Sequence, residues 1–349
     1  MVRWSLCFIP AGVALALWIL CRKWPTMTEN LFSRGIFRGL SAVLGTLTQY
    51  IPLSLTECLA VAAIPLLILI LILMIRRRAG LRKLCALLSC LLLLYMLMHG
   101  LNYCRYPLAR QLGLEQGEPV TVEELEELCR YLAAKASAAR AGCREDEEGV
   151  MTLSASLADT LTMGGEGYEV LAEEYPFLNG TVDRAKEVKL SHWWSYTGIT
   201  GMYFPFLAEA NVNTDQPASG LPMTVAHELA HTRGYAHEDE CNFLGILCCI
   251  AHPAADWQYS GWLSAYIYLS NSLYDSDRQR WQSAAAVSEE VARDLAARRA
   301  YWKQFEGPVQ EASTKVNDTF IRVNGDREGV ARYDQVTALL ILWYRAGKL

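Results

Sequence analysis

The stretch His227-Glu228-Leu229-Ala230-His231-Thr232-Arg233-Gly234-Tyr235-Ala236-His237 decides how this chain is read. Two histidines four residues apart fall on one face of a helix, one turn from each other, with a glutamate beside the first. Two neutral imidazoles so placed can grip a zinc ion while the carboxylate reaches a water on it. This is the H-E-x-x-H core of zinc-dependent peptidases. In that reading His227 and His231 are metal ligands and Glu228 is the general base. Short H-E-x-x-H matches arise by chance, but Val225-Ala226 and Leu229-Ala230 make this helix buried on one side, as a real site requires.

The third ligand has two candidates. His237 completes an H-x-x-G-x-x-H pattern, with Gly234 turning the chain back toward the metal. The methionine turn that accompanies this longer pattern is missing, because no methionine follows Met223. Glu240 is the alternative. On a helix starting near Glu238 its face-mates are Phe243, Leu244, Leu247 and Ile250, all apolar, and a carboxylate heading a buried face needs a cation or strong donors. Glu240 is therefore preferred and His237 kept as the alternative.

Upstream, residues 188–212 carry Trp193, Trp194, Tyr196, Thr197, Ile199, Tyr203 and Phe206, broken by Gly198 and Gly201, and read as strands. A strand before the motif helix suits a peptidase whose sheet edge holds extended substrate by backbone pairing. Tyr196, Tyr203, Arg233 and Tyr259 are each able to donate to an oxyanion. Glu209 and Asn211 are candidates to orient substrate or a ligand histidine, or else a plain polar pair on an edge strand. His192 and His252 read as structural, Asp239 and Asp256 as solvated acids.

Three apolar runs, at about 6–21, 55–75 and 84–101, are long enough or nearly so to cross a bilayer. Ala60–Ile75 carries no charge. The first run has no convincing cleavage site before Arg22-Lys23, so it reads as an anchor. Arg76 to Lys83 holds five cations in eight residues, which argues for that loop in the cytoplasm and everything after Leu101 outside, while Arg22, Lys23, Arg34 and Arg38 argue the other way, more diffusely. Between the first two runs, 24–53 reads as an amphipathic membrane-surface helix packed on the spans. Net charge is −5, which gives no reason to expect nucleic-acid binding. The eleven cysteines include no C-x-x-C pair, which argues against a cysteine–zinc site; Cys129 and Cys143 have the option of pairing outside the cytoplasm.

Helices are expected from the capping box at Thr121, over about 240–250, 257–274 and 333–344, and along Val287, Val291, Leu295 and Trp302, with the acidic stretch Arg144–Glu148 read as a solvated linker. The whole is mainly α with a small β-sheet (α+β): a three-helix membrane anchor over 1–105, then a zincin-like metallopeptidase domain over 106–349. The alternative function is a non-catalytic, zinc-stabilised membrane protein for sensing or partner binding. An intramembrane protease is disfavoured, because Thr232-Arg233 and Glu238-Asp239-Glu240 are too polar to span.

Several segments carry a resemblance. Gly201–Asn211, His227–Gly234, Glu238–Phe243, Tyr259-Ser260-Gly261 and Asn324–Val330 resemble a bacterial membrane family catalogued as domain of unknown function 3810. The resemblance covers nearly the whole chain and implies a membrane-anchored, metallopeptidase-like protein with a peptide or protein substrate, at the cell membrane. The Glu-Asp-Glu-x-Asn-Phe element is similar to one in gluzincin-like peptidases, which implies Glu240 as the zinc-ligating glutamate. Cys241 stands where a small alanine is usual.

Overall fold

In the computed structural model, residues 4–76, 80–114, 119–323 and 333–349 are described. Arg77, Arg78 and Ala79 of the basic loop and the Asn324–Val330 segment lie outside them. The chain is mostly helical with a small sheet, as its patterning implies.

The motif lies on the helix Leu221–Thr232, opened by Gly220 and Pro222. Proline suits a first turn, where its missing N–H costs nothing. This helix is buried along almost its whole length because it is sandwiched. On one side lies the helix Glu238–Ala251, which packs in turn on Ala255–Ser276 and, through that, on Val122–Arg140. On the other lies a three-stranded sheet. Its order is Lys186–Val188, Glu209–Asn213, Gly201–Phe204, the first pair parallel and the second antiparallel with Tyr203 opposite Ala210. One hydrophobic core takes in residues from Leu108 to Trp343.

The capping box at Thr121 forms, with Glu124 answering the Thr121 N–H. The helices expected downstream form as Glu238–Ala251, Ala255–Ser276, Glu289–Lys303 and Tyr333–Arg345. Two readings change. Trp193 and Trp194 are helical, in the short turn Ser191–Ser195, because Glu57 takes the Lys189 and Leu190 backbone N–H groups just ahead of it. Arg144-Glu145 is not a plain linker but pairs with Met151-Thr152. Cys129 and Cys143 are both free thiols.

Among the described residues two helical stretches, not three, are long and apolar enough to cross a membrane: Trp4–Lys23 and Gly80–Met98. The expected middle span forms a helix, Leu55–Arg76, but its described apolar stretch is the shorter Leu55–Ile70, about 24 Å of rise against the ~30 Å of a hydrocarbon core. The two longer helices run side by side in the same direction. Arg82 lies over Trp4, the Ala11 N–H donates to Ser89, and Cys21 is buried with Leu101.

The segment between them does not stand apart as a surface helix. Its Arg38–Gln49 helix docks on the core, where Ser41 donates to the Thr232 carbonyl at 3.0 Å, so the turn closing the motif helix is held by the N-terminal segment. Arg105 strengthens the join. It pairs with the buried Glu29 and donates to the Gly234 carbonyl at 2.7 Å.

Candidate metal centre

A helix places residues four apart on one face, and two such pairs face each other here. His227 and His231 come from the motif helix; Glu238 and Asn242 come from the first turns of the helix that follows. The imidazole rings lie 5.0 Å apart. His227 Nδ1–H donates to Asn242 Oδ1 at 2.9 Å, and His231 Nδ1–H donates to the Tyr235 carbonyl at 2.8 Å. Both acceptors lack a proton, so each imidazole is held with Nδ1 as donor and Nε2 turned to the same space, the arrangement that metal-binding histidines use.

The Glu238 carboxylate fills that space. Its oxygens stand 3.2 Å from His227 Nε2 and 3.7 Å from His231 Nε2. Ligand atoms from His227, His231 and Glu238 all lie within 4.8 Å of one another. Burial works against charge on all three, and at His227 and Glu238 the neighbouring charges override it. Burial lowers His231. The same burial is outweighed at His227 by the Glu238 and Glu228 carboxylates, which hold it up at about 9. Burial also opposes ionisation of Glu238, yet the two imidazoles bring it down to about 2.

Glu228 lies at the rim of the cluster, one carboxylate oxygen 4.0 Å from His227 Nε2. It is 3% exposed, and its Oε2 has no hydrogen-bond partner. Burial pushes it up to about 8, despite His227 beside it and the Tyr203 backbone N–H nearby. A buried carboxylate that close to neutral pH with an oxygen free is able to accept and return a proton.

The carboxylate that joins the histidines is thus Glu238 rather than Glu240. At about 100° per residue, two positions along a helix turn a side chain some 200° away. Glu240 consequently points into the protein, where its Oε1 accepts the Leu108 backbone N–H at 2.6 Å. The burial argument for Glu240 needed a strong donor, and a backbone amide supplies it. His237 caps the same helix and packs edge-on against Tyr103 at 5.0 Å, outside the cluster.

Of the oxyanion candidates, one reaches the site. Tyr203 stacks on His231, ring centroids 5.8 Å apart and planes 20° apart, with its buried hydroxyl unpartnered. Tyr196 sits in a separate aromatic group with Trp193 and Phe305. Arg233 is consumed by the Leu178, Val182 and Leu229 carbonyls and by Asp183. Tyr259 donates to Asp294, which also holds Arg140. Glu209 and Asn211 are structural as well. They lie on the central strand, not an edge, where Glu209 pairs with Lys186 and accepts from Thr56, while Asn211 accepts from Ser54.

His99 enters from the end of the apolar helix Gly80–Met98. Its ring lies 5.9 Å from both His231 and Tyr203. Two signals pointed to the missed residues: the i, i+4 pair Glu238/Asn242 mirrors His227/His231, and a histidine ending an apolar run is unusual.

Residues 32–341 match the family model described as "Protein of unknown function (DUF3810)". No curated protein and no solved structure matches the chain.

Proposed function

This chain belongs to the DUF3810 family, and for it we propose a membrane-anchored, zinc-dependent peptidase. One observation carries the proposal: His227, His231 and Glu238 converge within 4.8 Å while Glu228 leaves a buried carboxylate oxygen unpaired beside them. The donor set suits zinc, which takes imidazole nitrogen and carboxylate oxygen and in catalytic sites keeps three protein ligands.

His227 and His231 would hold the ion through Nε2, and Glu238 through its carboxylate. When bound, zinc supplies Lewis acidity that polarises a peptide carbonyl and acidifies water. Asn242 and the Tyr235 carbonyl keep both rings oriented. Glu228 takes the proton from the attacking water and returns it to the departing amine. Tyr203 offers its hydroxyl to the developing oxyanion. The strand Gly201–Phe204, at the sheet's edge and against the motif helix, offers an extended peptide its backbone groups.

Helix direction supports the anchor. Trp4–Lys23 and Gly80–Met98 run parallel, so if both cross the bilayer the chain would return between them, with the shorter apolar helix Leu55–Arg76 as the limb for it. Arg82 and Lys83 at the far end from the core favour a peptidase outside the cytoplasm, with Arg22 and Lys23 at the near end as the opposing charges. A C-terminal tag that resists protease added to intact spheroplasts overturns that orientation.

The catalytic reading is tested on full-length protein loaded with zinc, using β-casein as an unfolded substrate. Glu228→Gln should keep the metal and abolish cleavage; retained cleavage sinks the mechanism. Zinc bound at one equivalent with no cleavage by the unaltered protein favours a non-catalytic, zinc-stabilised role.

A further inference from the structure

The candidate centre lies at the end of a membrane helix. Gly80–Met98 exposes apolar residues as far as Leu94, and only five residues, about 7.5 Å of rise, separate Leu94 from His99. His99 then touches His231, and Met98 is buried with Tyr203 of the edge strand and Ala208. The last turn of an apolar helix therefore forms a wall of the site.

A second element lies at the same level. The helix Pro308–Val323 begins near Gly198, whose position is crowded by Gln310, and reaches Tyr95 of the membrane helix, 6.4 Å from Phe320. Val309, Val316, Phe320 and Val323 are spaced seven, four and three residues apart, on one face, and all are exposed. The opposite faces carry Glu311, Lys315, Asp318 and Arg322. An exposed apolar stripe on a charged helix, in contact with a membrane helix, suits the lipid–water boundary.

We propose that the substrate is a membrane-held polypeptide, taken as an extended segment just outside the bilayer and laid along the Gly201–Phe204 edge. This rests on the peptidase reading above and names its substrate class. The edge strand and the histidines are reached within a few residues of the lipid boundary. A chain tethered to the same membrane is delivered to that depth, whereas a chain free in solution has to find it.

The test uses full-length zinc-loaded protein in vesicles of phosphatidylethanolamine and phosphatidylglycerol. The probes are β-casein free in solution and β-casein carrying two N-terminal palmitoyl chains, at equal total concentration. The tethered form should be cut at least about tenfold faster, with first cuts within roughly twenty residues of the anchor. Replacing Val316 and Phe320 together by aspartate should bring that ratio toward one. Equal rates for the two forms, or fast cuts scattered along the tethered chain, overturn the proposal while leaving the peptidase reading intact. A ratio that persists in the aspartate variant overturns the part given to Pro308–Val323. Failure to cut either form removes the peptidase reading itself.

Discussion

Gly201 makes room for Glu228: a Cβ at position 201 would stand 2.7 Å from the Glu228 Cγ and closer still to Oε1. The edge strand and the motif helix are in contact at this point, and only a residue without a side chain lets the carboxylate occupy its place. Gly201→Ala should leave the metal bound and reduce turnover by about 100-fold, the scale of an ångström-sized misplacement of a catalytic group. Unimpaired β-casein cleavage in that variant would show that the Glu228 position does not matter.

Asn242 sets the orientation of His227 through a single hydrogen bond. Loss of such a partner typically weakens metal binding 10- to 100-fold. Asn242→Ala should show this in a zinc competition titration, while Asn242→Asp, which keeps the acceptor, should recover most of the affinity.

Glu238 and Glu240 separate cleanly by experiment. Glu238→Ala should abolish stoichiometric zinc with little effect on folding. Glu240→Ala should keep zinc and lower stability by about 1–3 kcal/mol, because the buried Leu108 N–H is left unpaired. Zinc content and denaturant unfolding of the two variants give the answer, and the reversed pattern restores Glu240 as ligand.

Zinc affinity should climb with pH through the neutral range. His227 titrates at about 9 in the metal-free protein, held up by Glu238 and Glu228 against its burial. Below that pH the imidazole carries a proton that the metal must displace, so affinity rises by up to about tenfold per pH unit and levels off above 9. The same imidazolium stabilises the metal-free fold, since its folded pKa lies above the unfolded ~6.5; that stability is present below pH 6.5 and lost as pH rises through 9. A flat zinc affinity between pH 6 and 9 contradicts the assignment.

Much of this was legible before any coordinates. The helix carrying His227 and His231, the capping box at Thr121 and the helices downstream of the motif all follow from local spacing. So does the presence of apolar helices near the N-terminus. The misreadings share a cause. Trp193 and Trp194 have strand propensity, but Glu57, more than a hundred residues away, caps them into a helix. Glu209 and Asn211 resemble site residues in isolation, yet Lys186, Ser54 and Thr56 consume them. Arg233 and Tyr259 are likewise occupied by partners distant in sequence.

Sequence alone determined that two imidazoles share one helical face with a glutamate beside them, because i, i+4 geometry is a property of the backbone. It did not determine which carboxylate completes the cluster. Glu238, Glu240 and His237 lie within four residues, and the rotation at which their helix docks against the motif helix decides which of them faces inward. Packing of Phe243, Leu244 and Leu247 into the core sets that rotation, turning Glu240 toward Leu108 and leaving Glu238 opposite the histidines.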